Sequence, residues 1–242
     1  MSAADRAGER HVGAGPSASV PPAPGYISYR PQRYSAEETA QLAAHFFTLL
    51  DGRRSVRHFS PEPVADEVID HVVRAASTAP SGAHKQPWTF CVVTDAALKS
   101  AIRTAAEEEE KENYGGRMPP EWLEDLAPLG TDQHKAFLEV APCLIVVFKR
   151  AYEPMPDDTK RKNYYVEESV GIATGFLLAA ARHAGLVTLT HTPSPMNFLA
   201  KLLGRPANER AYLLIPIGYP AEDCAVPDLV RKPLKDVLVR YA

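Results

Sequence analysis

Cysteine is scarce in this sequence. Three occur among 242 residues, Cys91, Cys143 and Cys224, and no CxxC pair is present. An odd count without a pairing pattern excludes a disulfide scaffold and points to a reducing, cytoplasmic setting. Cys91 and Cys143 lie in apolar runs, where a thiol behaves as a small buried hydrophobe. Long hydrophobic runs are missing as well. The longest uncharged apolar stretch, around 171–181, falls short of the roughly 18–20 residues a membrane span needs, and the N-terminus carries no signal-like apolar block. There is no basic surplus: 27 Lys and Arg face 30 Asp and Glu, for a net charge of −3. A general nucleic-acid binder is therefore not expected. The eight histidines show neither HxH nor HExxH spacing, so no metal site is predicted. GxGxxG, GxxxxGK[ST] and GxSxG are all absent, which leaves dinucleotide-fold, P-loop and nucleophile-elbow readings without support.

What is there is length enough for one large domain or two small ones, with a core that needs no staple. Residues 1–26 are mostly Ala, Gly, Pro and Ser and cannot offset their ordering entropy by burial. They are predicted to be a disordered arm, and 27–242 the folded domain. Ser35-Ala36-Glu37-Glu38 has capping-box spacing, and Leu42, Phe46 and Leu49 follow as a helical stripe. Further helices are predicted at 65–77, from Asp95 as cap toward Tyr114, at 122–126, 132–140, 164–183 and 197–203. Gly115-Gly116 and Pro119-Pro120 break the acidic helix, and Gly185 closes the longest one. Apolar strands are predicted at 88–94, 143–148, 186–190 and 212–217, the second of them buried on both faces. Beyond Pro220 the chain reads as an extended arm. Alternating helices and apolar strands predict an α+β fold, mixed in its arrangement.

Three segments could carry chemistry. Arg53-Arg54-Ser55-Val56-Arg57 is the densest basic cluster; its guanidinium forks and hydroxyl suit a phosphate, although by pattern alone a solvated linker is the commoner reading. Thr78-Ala79-Pro80-Ser81-Gly82-Ala83 is a turn of small residues that lets backbone N–H groups approach a ligand. Thr190-His191-Thr192-Pro193 is a strand end with hydroxyls, and both segments also read as ordinary turns. Within the acidic run 107–112, Glu110 shares a helix face with Tyr114, four residues on. With Lys135 they would suit the zwitterionic end of an amino acid. Pattern alone does not single out that trio; a solvated helix face explains the acidic run as well.

Taken in order, these segments resemble a known family. They are Arg-Arg-Ser-Val-Arg at 53–57, Thr-Ala-Pro-Ser-Gly-Ala-His at 78–84 and Glu-Glu-Glu-Glu-Lys-Glu-Asn-Tyr at 107–114. Ala-Gly-Leu-Val-Thr at 184–188, Leu-Leu-Gly-Arg-Pro at 202–206, Pro-Ile-Gly-Tyr-Pro at 216–220 and Arg-Lys-Pro-Leu at 231–234 continue the pattern. Over about residues 30–242 the chain is similar to the iodotyrosine deiodinase branch of the FMN-dependent nitroreductase superfamily.

The resemblance implies a central mixed β-sheet flanked by helices, an extended C-terminal arm, and an obligate homodimer with FMN at the subunit interface. It implies that Arg53, Arg54, Ser55, Val56, Arg57 and Arg231 hold the FMN phosphate and ribityl chain. Pro80, Ser81 and Gly82 would line the isoalloxazine, with Thr190 and Thr192 at its other edge and Thr192 as the catalytic hydroxyl at N5. Glu110, Tyr114 and Lys135 would clasp a halotyrosine, and the Ala83 N–H would donate to its phenolate oxygen. An ortho halogen acidifies a phenol, so such a donor separates halotyrosine from tyrosine, whose pKa is near about 10.

The implied activity is reductive dehalogenation of halotyrosine to tyrosine and halide, with an electron donor the sequence does not name. A general nitro or quinone reductase, or a flavin- or halotyrosine-binding protein without turnover, are the alternatives. Three features depart from the family pattern. No N-terminal membrane anchor is seen, so a soluble form is expected. His191 interrupts a stretch that is threonine-rich elsewhere, and Gly115-Gly116 is expected to loosen the lid junction.

Overall fold

The apolar run that begins at Cys143 forms the centre of the fold, in a computed structural model that describes residues 25–241. It lies in β2 (Cys143–Arg150), which pairs antiparallel with β1 (Trp88–Val93) on one side and β6 (Glu209–Gly218) on the other. The short β5 (Val187–Thr188) completes the order β1-β2-β6-β5. All three strand pairs are antiparallel where a mixed sheet was expected, and the one parallel pairing among the described residues is an isolated bridge between Ser55 and Thr188, outside the strands, so the fold is α+β with an antiparallel sheet.

Successive strand residues point to opposite faces, so β2 feeds two cores at once. Cys143, Ile145 and Val147 enter one, with α2 (Asp66–Ser77) and α6 (Val166–His183) packed over them. Leu144, Val146 and Phe148 enter the other, under α3 (Ala96–Glu112), α5 (Phe137–Val140) and α7 (Asn197–Leu202). The burial on both faces is as the sequence predicts. Inside the first core, burial pushes the Cys143 thiol up to about 12.

Helix ends also follow the sequence. At α1 (Ala36–Asp51) the Glu38 N–H donates to Ser35 Oγ (3.1 Å) and the Ser35 N–H to Glu38 Oε2 (2.9 Å), a reciprocal capping box. Asp95 accepts from the Leu98 N–H at 2.7 Å and caps α3. Gly185 takes φ +80° after α6, a conformation that favours glycine. The predicted stripe on α1 is not covered, however: Leu42, Phe46 and Phe47 are exposed.

Two predicted elements are shorter than expected. The helix at 132–140 contracts to α5, because its first turn spends its donors on side chains: the His134 N–H on Asp132 (2.8 Å) and the Lys135 N–H on Glu107 (2.7 Å). The strand at 186–190 contracts to β5, and the chain rejoins the sheet only at a single bridge between His191 and Leu214. A hairpin of β3 (Tyr152–Pro154) and β4 (Lys160–Lys162) was not predicted; its strands are too short and polar to give a period. The segment after Pro220 is extended, interrupted by one 3-10 turn at Leu234–Asp236. Arg231 ties it down by donating to the Asp51 carbonyl and carboxylate (both 2.9 Å) and to the Arg53 carbonyl (2.8 Å).

The chain divides into two compact units, Met1–Ala44 and His45–Ala242. The predicted disordered arm, 1–26, lies outside the described residues apart from Gly25 and Tyr26. Among the described residues no helix is long and apolar enough to cross a membrane.

Candidate active site

The basic segment leaves α1 and runs beside β5. Val56 points inward at 3% exposure, and its N–H donates to the Thr188 carbonyl at 3.1 Å. With its side chain and N–H spent on the fold, Val56 anchors the segment while its neighbours face outward. They open onto a cavity of about 370 Å³ lined by Arg53, Arg54, Ser55, Arg57, Thr190 and Arg231, with Leu189, Leu229 and Val230 as apolar wall. That volume lies in the range of small-molecule pockets, about 300–1,000 Å³. Burial lowers the pKa of Arg53, and the neighbouring Arg231 and Arg54 lower it further. Like charges so placed favour an anion between them, and guanidinium forks match a phosphate ester. Arginine forks, a hydroxyl and an apolar wall on one cavity are the chemistry a phosphorylated, ring-bearing group such as FMN needs.

A second cluster is dry. Glu110 on α3 is 6% exposed and Lys135 2%, and their charged atoms stand 3.4 Å apart. Lys135 Nζ also donates to Thr131 Oγ1 at 3.3 Å and to the Asp132 carbonyl, and lies 5.6 Å from the Tyr114 ring centroid. Tyr114 donates its hydroxyl to the Thr131 carbonyl at 3.1 Å. α3 passes at its end into one π-helical turn, Asn113–Arg117, which carries Tyr114. Gly116 there has φ +135°, so this break requires glycine. Asn113 Nδ2 donates to the Ser194 carbonyl at 3.0 Å, linking this turn to the segment after Thr192. Burial pushes the Glu110 carboxyl up and the Lys135 ammonium down, and the attraction between the pair opposes both shifts. Glu110 and Tyr114, from the end of α3 and the turn that continues it, thus meet Lys135 from a separate stretch of sequence.

Arg57 connects the two clusters. It lines the cavity, yet its charge is felt at Tyr114, Lys135 and His191. The family resemblance implies for it a role at the phosphate alone.

The turn at 80–83 is a third element. The Gly82 N–H donates to Ser169 Oγ at 3.3 Å, and a Cβ on Gly82 would lie 2.8 Å from the Tyr164 carbonyl oxygen, so only glycine fits. Ser81 Oγ accepts from the Gln86 N–H at 2.9 Å. Ala83, His84 and Gln86 all have positive φ, 49°, 53° and 47°, a concentration of backbone strain of the kind found at ligand sites. Pro80 and Ala83 are exposed. None of these residues lines the arginine cavity. Thr190 does, whereas Thr192 is exposed and outside its lining. Between them His191 is buried, a placement that strand alternation could have indicated.

Comparison with known proteins accords with this geometry. Residues 50–219 match the nitroreductase family. The iodotyrosine deiodinase of Haliscomenobacter hydrossis is 61% identical over 218 residues, spanning 90% of this chain and 98% of that protein. Human iodotyrosine deiodinase 1 is 47% identical over 215 residues, 88% of this chain and 74% of the human one. A crystal structure of oxidized iodotyrosine deiodinase bound to FMN and 3-iodo-L-tyrosine superposes with a TM-score of 0.69 at 32% identity, covering 81% of this chain and 98% of that one.

Proposed function

The chain belongs to the nitroreductase family, in its iodotyrosine deiodinase branch, and on that premise we propose that it is an FMN-dependent reductive dehalogenase of halotyrosine. The observation that carries this reading is the buried pair of Glu110 and Lys135, with half-buried Tyr114 against Lys135, beside a cavity ringed by arginines. A nitro or quinone group brings no ammonium to meet the dry carboxylate of a pair spaced 3.4 Å apart. An amino-acid zwitterion brings both complementary charges. Its ammonium takes Glu110, its carboxylate takes Lys135, and each forms a charge-assisted hydrogen bond out of water. Both protein charges stay paired throughout, so neither is left buried alone.

Arg53, Arg54, Ser55, Arg57 and Arg231 hold the FMN phosphate and ribityl chain in this reading. Pro80, Ser81 and Gly82, which stand outside the lining of the arginine cavity, would flank the ring, and Thr190 and Thr192 would meet its edge, where Thr192 would offer the catalytic hydroxyl. Bound FMN, when reduced, supplies two electrons. With one proton added at the halogen-bearing carbon, a C–H bond forms, the carbon–halogen bond breaks and halide leaves. The N–H of Ala83, on the strained turn, donates to the phenolate oxygen and so favours the ionised halotyrosine over tyrosine.

We infer a homodimer for the same reason. α1 buries none of its residues, Phe47 is 68% exposed, and Ile172 and Phe176 on α6 and Leu234, Val237 and Val239 on the arm are exposed as well. Apolar surface so extensive marks an interaction face, and a second copy would cover it. A cytoplasmic location is supported by three free cysteines. The electron donor is an external reductant.

The test is an anaerobic titration of FMN-loaded protein with 3-iodotyrosine and with tyrosine, followed by reduction with dithionite. Tight binding of iodotyrosine alone and stoichiometric iodide release are expected. FMN binding without either ligand would overturn the proposal in favour of a general reductase.

A further inference from the structure

The acidic run that opens at Glu107 is more than a solvated helix face. Along α3, Lys99, Arg103, Glu107 and Glu110 follow at spacings of four, four and three, which set them on one side of the helix. All four reach the segment 135–141. Lys99 Nζ donates to the Glu139 carbonyl (3.0 Å) and the Ala141 carbonyl (2.8 Å), and Arg103 Nη1 donates to the Glu139 carboxylate (2.8 Å). Glu107 Oε1 accepts from the Lys135 backbone N–H at 2.7 Å, and Glu110 meets the Lys135 ammonium at 3.4 Å. One helix face thus holds Lys135 by its backbone and, less than one turn further on, by its side chain.

Glu107 is itself fixed. Its Oε1 also accepts from Arg103 Nε at 2.8 Å, and the Arg103 fork is shared with Glu139. Burial alone would raise the Glu107 carboxyl, but Arg103 and the Lys135 N–H outweigh it and hold the group below its ordinary value. Glu107 is therefore an ionised acceptor at neutral pH, and a hydrogen bond to a charged group is stronger than a neutral one. That bond takes the Lys135 N–H out of helical use. The helical acceptor for it would be the Thr131 carbonyl, four residues back, and that carbonyl accepts instead from the Tyr114 hydroxyl at 3.1 Å. Donor and acceptor of one missing helical bond are both diverted to α3 and its π turn. Without Glu107 the Lys135 N–H would be free to lengthen α5 toward its N-terminus, which would swing a long, flexible side chain away from Glu110.

We propose that Glu107 is a positioning residue for the ligand clasp: held by Arg103, it ties the Lys135 backbone to the helix that carries Glu110 and so sets the span of the two charges before a ligand enters. Its Oε1 already has two donors, so it acts through Lys135 and not on the ligand. The gain is in affinity, because a loop already ordered need not be ordered by binding. The inference rests on the dehalogenase reading and adds to it a determinant of affinity outside the trio that meets the zwitterion.

The experiment measures the dissociation constant of 3-iodotyrosine, kcat and FMN content for FMN-loaded wild type, Glu107→Ala, Glu107→Gln, Lys135→Met and the Glu107→Ala Lys135→Met double variant. Glu107→Ala is expected to weaken binding about tenfold, as for one hydrogen bond to a charged group, with kcat within about twofold of wild type. Glu107→Gln keeps an oxygen for the Lys135 N–H and is expected to bind within about threefold of wild type. In the Lys135→Met background, Glu107→Ala should change affinity by less than about twofold, the signature of coupled sites. In FMN-loaded protein without iodotyrosine, the Lys135 amide should exchange with deuterium at least about tenfold faster in Glu107→Ala. Should Glu107→Ala not fold, Glu107→Asp, one methylene shorter, takes its place in every arm. Wild-type affinity or unchanged exchange in that variant overturns the proposal, as does an equal loss with and without Lys135, or a Glu107→Gln loss as large as that of Glu107→Ala. Loss of bound FMN, or a fall in kcat larger than the loss of affinity, also overturns it, since Glu107 would then support the fold or the cofactor. Failure of the wild type to bind iodotyrosine is a different result: it would overturn the dehalogenase reading, while amide exchange would still report on the tie between Glu107 and Lys135.

Discussion

The arginine cavity and the Glu110–Lys135 clasp hold charges under opposite conditions. At the cavity, four guanidiniums of one sign are exposed or half-buried, and they can exchange partners with solvent ions. At the clasp, one charge of each sign is almost fully buried. The first arrangement suits a ligand that brings its own negative charge and is held in place by several contacts. The second suits a ligand that brings both signs and exchanges with an internal pair. Burial makes the clasp selective, because an incoming group lacking either charge would leave the other unpaired in dry surroundings.

Breaking the clasp on one side should give the largest effect. Lys135→Met is expected to raise the dissociation constant for 3-iodotyrosine by about 10²–10³-fold, the range for one partner removed from a buried charge pair, while FMN content holds. Equilibrium titration of the FMN-loaded protein checks it, and an unchanged constant would remove the distinction between the two regions.

The next effect is on stability. Below about pH 6.5 an unfolded chain protonates the His191 imidazole, whereas the native protein does so only near about 3. The native state thus binds fewer protons, and stability falls as pH is lowered through that window. The slope from this one group is about 1.4 kcal/mol per pH unit. Urea unfolding at several pH values should show that slope in wild type and its absence in His191→Phe.

A smaller effect is expected at the cavity. Arg231→Ala should weaken FMN about tenfold, a typical loss for one charge-assisted contact. Raising salt should weaken FMN in both proteins and leave iodotyrosine binding nearly constant, since a dry pair is screened far less than an open one. Fluorescence titration of free FMN at two ionic strengths reads both. The smallest change belongs to Glu110→Gln combined with Lys135→Met. Without ligand, its melting temperature should match or exceed that of wild type, because a neutral replacement for a buried ion pair is often neutral or stabilising. Thermal unfolding of the ligand-free protein checks it, and a large drop would mean that the pair supports the fold rather than the site.

Much of the scaffold was legible. The run at 143–148 forecast burial on both faces, and β2 sends alternate residues into two cores. Asp95, Ser35 and Gly185 mark helix ends by local hydrogen bonding and backbone preference, and each does so here. The loop before α5 was not legible, since its residues have the composition of a helix and lose that form only because Glu107 and Asp132 draw off their N–H donors. The hairpin β3–β4 gave no period to detect.

The sequence by itself determined the positions of the four strands of the main sheet, most helices, the basic segment and the shared face of Glu110 and Tyr114. All of these follow from interactions within a few residues along the chain. Only the tertiary structure decided that Lys135 closes on Glu110, that Arg57 looks toward both clusters, and that His191 is shut away behind them. Such meetings join residues distant in sequence and depend on which faces the two cores bring together. Their energies come from desolvation and from charge at short range, and neither exists until the chain has folded.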